Sequence, residues 1–235
     1  GKDPFEATTS PLPVDISLKD IEAAQSLRGL KIALPKEYLL DEMKPAVKAL
    51  ILAASQKLQT LGAKVETISL LDPHYAIGVY TVVSRSEISS NLARYDGIRY
   101  GRPRSSFSHE AKNRVMLGTY TLSSGYYDQY YNKAQQVRNM MIQEFNQTFK
   151  KFDLMIGPTS PGPALKLGAS LNDPMFGDLQ DILVEASSLS GLTSLSIPCG
   201  LVDNLPIGLQ ITGPQFSEQK VLQAGSAYQQ ATLKL

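Results

Sequence analysis

Apolar positions recur along this chain with two periods, and each change of period marks an element. LKIAL at 30 to 34 is a short run of strand formers stopped by Pro35. Behind it, Val47, Leu50, Ile51, Ala54, Leu58 and Leu61 recur every three or four residues, the spacing of a helix with one buried stripe. Gly62 is the natural end of that helix, because glycine accepts the left-handed backbone that closes a last turn. AKVETISL at 63 to 70 then returns to β-formers. A strand, a helix and a strand in this order predict two parallel strands joined by a right-handed crossover, which sets the class as α/β.

Further along, Ile77, Thr81, Ser84, Ile88 and Leu92 predict a helix over about 75 to 94, with a mild and partly polar stripe. SHEAKNRVMLGTYTLSSG predicts another, broken near Gly125. Tyr127, Tyr130, Tyr131, Ala134, Val137, Met141, Phe145 and Phe149 then trace a long amphipathic helix whose aromatic stripe is expected in the core. DLMIGP at 153 to 158 reads as a buried strand, and SLSIPCG at 194 to 200 repeats the form. PIGLQITG at 206 to 213 follows a Val-Asp-Asn-Leu turn, so the last two strands should form a hairpin. Ser217 is placed to cap a final helix through Val221, Leu222, Ala224 and Tyr228. Residues 1 to 28, with Pro4, Pro11 and Pro13, read as an extended connector, and 29 to 235 as part of one larger domain.

Composition changes this picture little. With 43% apolar and 19% charged residues, 235 residues can bury a real core. A net charge of +1 provides no whole-chain field toward nucleic acid or an anionic membrane. Cys199 is the single cysteine, which excludes an internal disulfide framework and fits a reducing, cytoplasmic setting. No apolar run nears the roughly 20 residues that span a bilayer, so no membrane partner is expected. The opening Gly1, ahead of any clear element, suggests a fragment.

Candidate chemistry is sparse at first sight. His74 and His109 stand apart with no ligand-spaced partners, so no metal site is expected. No glycine-rich phosphate motif occurs. Ser123-Ser124-Gly125 lacks a nucleophile elbow and reads better as a helix break with a hydroxyl cap, while Cys199 reads as a buried, inert thiol. Polar density concentrates in SSNLARYDGIRYGRP, in the run from Arg114 to Asp128 and in GPTSPGPAL at 157 to 165. GPTSP directly follows a strand, and ligands of open α/β sheets bind at the carboxyl ends of strands. The cluster of Arg94, Arg99, Arg102, Arg104, Lys112 and Arg114 is diluted by Asp96 and Glu110, and reads as a solvated face before an RNA contact.

SSNLARYDGIRYG, RVMLGTYTLSSGYYDQYYNKAQQVR, DLMIGPTSPGPAL and LSIPCG followed by PIGLQITG together carry a resemblance. They are similar to the carboxy-terminal half of the glutamine-hydrolysing amidotransferase subunits in the amidase signature family. The resemblance implies a mixed central β-sheet covered by helices, in a heterotrimeric complex. It implies an enzyme that hydrolyses glutamine and passes ammonia to partner amidotransferase subunits. There ATP and Mg serve the conversion of Glu-tRNA(Gln) to Gln-tRNA(Gln), and this chain itself binds no cofactor.

Family catalysis uses two serines and a lysine in a Gly-Ser-rich signature, and nothing matching it occurs in these residues. The resemblance therefore assigns this chain to substrate recognition, with no catalytic residue of its own. Arg114 of RVMLG matches the partner of the glutamine α-carboxylate, Asp181 of LQDIL that of the α-ammonium, and Tyr80 a tyrosine near the reacting carbon. Read without the family, Arg114 is a surface ion pair, Asp181 a helix-end acid and Tyr80 part of a core stripe. SSNLARYDGIRYG is expected to wall the glutamine pocket and touch a partner subunit, with Tyr95 and Tyr100 packed. Two other readings stay open: a related hydrolase of another small amide, and a non-catalytic scaffold.

Overall fold

A computed structural model describes residues 2–13, 15–169 and 179–232. Five strands form one mixed sheet: β1 (Lys31–Pro35), β2 (Lys64–Ile68), β3 (Leu154–Pro158), β4 (Thr193–Val202) and β5 (Leu205–Gly213), in the order β2-β1-β3-β5-β4. β1 runs parallel to both β2 and β3, while β5 is antiparallel to β3 and β4. Both kinds of pairing follow from the connections. A helix crosses back between β1 and β2, whereas only Asp203 and Asn204, both at positive φ, separate β4 from β5. Asp and Asn tolerate the left-handed region that a tight hairpin turn demands.

The strands alternate their side chains between two cores. Ile32, Leu34, Leu154, Ile156, Leu209 and Ile211 face one side, where Ile51, Ala54 and Leu58 of α2 (Pro45–Thr60) join Val221, Ala224 and Tyr228 of the carboxy-terminal helix, Glu218–Thr232. Ala33 and Met155 face the other. There they meet α3 (His74–Leu92), α5 (Lys133–Thr148) and α6 (Ile182–Leu189). α4 (His109–Thr121) packs on α3, and the carboxy-terminal helix is α7. The sheet is thus a central layer with helices on both faces, as the resemblance implies.

Three local expectations need correction. Within the stretch read as an extended connector, Leu18–Glu22 forms a short helix, α1, capped by the Ser17 hydroxyl. Ser17 and Gln219 of α7 also exchange hydrogen bonds of 2.8 and 3.5 Å, which hold this stretch to the domain. The helix expected from Tyr127 opens instead with a π-helical turn, Asp128–Asn132, closed by Asn132 N–H on the Tyr127 carbonyl at 3.0 Å. That extra residue per turn shifts the aromatic stripe out of register with the core face. Ala134, Met141 and Phe145 stay buried, whereas Tyr126, Tyr127 and Tyr130 reach solvent. Finally, Ser217 precedes α7, but its hydroxyl donates to the Pro214 carbonyl at 2.6 Å.

Candidate functional site

α3, α5 and α6 border an open cavity of about 580 Å³ on one face of the sheet. Tyr80, Glu87 and Asn91 reach it from α3, Arg138 from α5, and Glu185 and Ser188 from α6. Asp181, the residue before the first turn of α6, completes the wall. It is exposed, and its side chain makes no capping bond to the helix. The cavity therefore contains three carboxylates, one phenol and one guanidinium among its described lining residues.

Arg114 stands beside this cavity without lining it. Its Nη1 donates to the Tyr80 hydroxyl at 3.5 Å, a long contact, while its Nε donates to Glu110 Oε1 at 2.6 Å. The Glu110 bond, followed by the Tyr80 bond, holds the guanidinium above its ordinary pKa. Glu110 and Arg114 lie four residues apart on α4, a spacing that brings opposite charges together on any helix and so makes the pairing legible in advance. Tyr80 connects the three residues named from the resemblance: it shares a cavity with Asp181 and a hydrogen bond with Arg114. Sequence reasoning missed Glu185 and Glu87, which have no distinguishing motif, and Arg138, which closes the quoted block that begins at Arg114.

A larger hollow of about 840 Å³ runs along the outer side of α5. It is lined mostly by Met140 and side-chain amides such as Gln143 and Gln147, and its Glu144 accepts the Leu71 N–H at 2.8 Å. Its other charged group, Lys150, donates to the Gln147 side-chain oxygen at 3.1 Å, so both of its charges already have protein partners and the smaller cavity is the better candidate for a polar ligand.

The other candidates resolve clearly. GPTSP does follow β3 at its carboxyl end, where Thr159 and Ser196 share a 2.7 Å hydroxyl bond, but the cavity is walled by other segments. Of SSNLARYDGIRYG, Asn91 lines the cavity and Tyr95 stacks on Phe107 at 5.4 Å. Tyr100, expected to pack, is 81% exposed. The Tyr95 hydroxyl instead organises its own loop, donating to the Arg102 carbonyl at 2.8 Å and accepting the Arg102 N–H at 3.0 Å. Gly97 and Gly101 permit this wrap: both have positive φ, and a Cβ on Gly101 would collide with the Tyr95 hydroxyl. The Ser123 hydroxyl donates to the Tyr120 carbonyl at 2.8 Å, as a helix break requires. Burial pushes the Cys199 thiol up to about 11, so almost no reactive thiolate exists near neutral pH. Among the described residues no cluster suits a metal ion, and no helix is long and apolar enough to cross a membrane.

This helix-covered mixed sheet with a charged cavity beside it is an α/β domain of the kind the resemblance implies, and comparison with known proteins assigns its family. A family profile described as Amidase matches residues 1–222, and the chain belongs to that family. It is 43% identical over 247 residues to the A subunit of glutamyl-tRNA(Gln) amidotransferase from Streptococcus equi subsp. zooepidemicus (strain H70), covering 99% of this chain and 50% of that protein. The same subunit from Lactiplantibacillus plantarum is 45% identical over 221 residues, covering 88% of this chain and 45% of that one. The crystal structure of the corresponding protein from Thermotoga maritima superposes with a TM-score of 0.78 at 36% identity, covering 98% of this chain and 48% of its own. A bacterial aryl acylamidase of the amidase signature family follows with a TM-score of 0.70 at 25% identity, over 90% and 45%. The chain thus spans about half the length of the curated relatives it matches.

Proposed function

We propose that this chain is the substrate-reading half of the glutamine-hydrolysing component of an amidotransferase. Its reaction is the attack of water on the glutamine side-chain amide, yielding glutamate and ammonia. Partner subunits, using ATP and Mg, consume that ammonia in turning Glu-tRNA(Gln) into Gln-tRNA(Gln). The serine relay implied by the family comes from outside these residues, and this chain contributes recognition.

One observation carries the reading: Asp181 and Tyr80 line a single cavity, and the Tyr80 hydroxyl is bonded to the Arg114 guanidinium. Free glutamine differs from a simple amide by two charged groups on one carbon. A site selecting it needs an anion for the ammonium and a cation for the carboxylate, held too far apart to neutralise each other. Asp181 supplies the first. Arg114 supplies the second, with Tyr80 bridging toward the reacting amide. An arginine suits the carboxylate because its planar fork engages both oxygens.

The test uses the full-length protein assembled with its partner subunits and follows ammonia release. Arg114→Ala should raise KM for glutamine about 10- to 100-fold, the range expected for losing a charge-assisted contact. Wild-type complex should strongly prefer glutamine to asparagine and acetamide. Equal turnover of all three would point instead to a general small-amide hydrolase.

A further inference from the structure

Arg114 is already engaged by Glu110 and stands outside the cavity wall, whereas a different guanidinium lies within that wall. Arg138, partly buried on α5, donates from Nε to the Leu189 carbonyl at 2.8 Å. This single bond fixes the plane of the fork against the end of α6. Its two terminal amines make no hydrogen bond or ion pair with the described residues, although Asp181, Glu185 and Glu87 line the same cavity. Asp181 is likewise without a side-chain partner among the described residues. A cation and an anion thus share one cavity of about 580 Å³ with no ion pair between them.

We infer that Arg138 is a second reader of the substrate carboxylate, and that Arg138 and Asp181 together hold the two charged ends of an amino-acid zwitterion. This rests on the glutamine reading above and sharpens it by placing a carboxylate contact inside the cavity. A guanidinium anchored through Nε presents its remaining N–H groups side by side, the geometry that pairs with both oxygens of a carboxylate. The Asp181 carboxylate on the same wall favours a ligand that also carries an ammonium, so a zwitterion binds more tightly than a plain carboxylate. Arg138 acts here as a specificity residue, since nothing places it at the reacting amide.

The experiment compares three amides on the full-length complex: glutamine, 4-aminobutanamide, which lacks the carboxylate, and glutaramate, which lacks the ammonium. Arg138→Ala should raise KM about 10- to 100-fold for glutamine and glutaramate while leaving 4-aminobutanamide within about twofold. Arg138→Lys, which retains charge but loses the fork, should give the same pattern at smaller amplitude. Asp181→Asn should reverse it, raising KM for glutamine and 4-aminobutanamide and sparing glutaramate. An equal change for all three amides in Arg138→Ala would assign that residue to holding α6 in place and overturn the inference, as would no change at all. A wild-type complex that fails to turn over glutamine would overturn the amidotransferase reading itself, and that outcome is visible before any variant is made.

Discussion

The centre of the sheet and the outer helix α4 both carry large apolar residues, yet they use them in opposite ways. Every residue of β3 is buried, because helices cover both of its faces. On α4, Met116 is 69% exposed, and Leu117 and Tyr120 also face solvent. Tyr120 and Tyr126 stack there at 4.2 Å with Tyr130 close by, and the Tyr126 hydroxyl bond pushes the Tyr120 phenol up to about 12. α4 touches α3 along one narrow side made of small and hydroxylated residues. Ser86 bonds Thr121 at 2.8 Å and Ser89 bonds Thr119 at 2.9 Å. The lesson is that apolar content alone does not define a core. A position is committed to burial only when neighbours close over it from both sides.

That contrast is sharpened most strongly by truncation. Ile156→Ala removes a side chain that is 1% exposed at the middle of the sheet, and should cost about 2 to 5 kcal/mol. Tyr126→Ala on the exposed cluster should cost less than about 1 kcal/mol. Urea unfolding of the two variants measures both, and equal losses would erase the distinction between the regions.

A smaller effect probes the contact between α3 and α4. Gly118 is buried, and a Cβ there would run into the Arg85 carbonyl oxygen. Gly118→Ala should therefore force the helices apart and cost about 1 to 3 kcal/mol, seen as a lower melting temperature. Gly125→Ala, where nothing lies within 4 Å, serves as the control. If both melt together, the two helices are less tightly apposed than this geometry requires.

The smallest effect lies at the surface. The Asp72 carboxylate, at 2.6 Å from Nδ1, and then Glu42, at 3.0 Å from Nε2, raise the His74 pKa above its ordinary 6.5. Since the folded value is the higher one, the stabilisation is complete below 6.5 and is lost as pH rises through the raised value. The ring is half exposed, so the contribution should stay below about 1 kcal/mol. His74→Gln should flatten the fall of stability with pH above 6.5, and a slope unchanged from wild type would remove the assignment.

Much of the architecture was legible before any coordinates. The Asp203-Asn204 turn and Gly62 act through contacts within a few residues, and DLMIGP announces itself by its unbroken apolar run; each appears where the sequence puts it. The π-helical turn was not legible, because tyrosines at helical spacing look alike whether the turn closes on the fourth or the fifth residue. At the candidate site, Arg114, Asp181 and Tyr80 came from a family motif, while Arg138 lay unremarked at the end of the same quoted block. Nothing in its neighbours announces a cavity.

By itself, then, this sequence determined the five strands and most of the helices, α1 and the π-helical turn excepted, since periodicity and turn residues work at short range. It also determined membership of the amidase family, through the quoted blocks. Only the tertiary structure decided that α3, α5 and α6 converge, that Arg138 lines the cavity while Arg114 stands beside it, and which tyrosines reach solvent. Those outcomes depend on how distant elements pack across the sheet, and side chains far apart in the chain acquire a common environment only once that packing is complete.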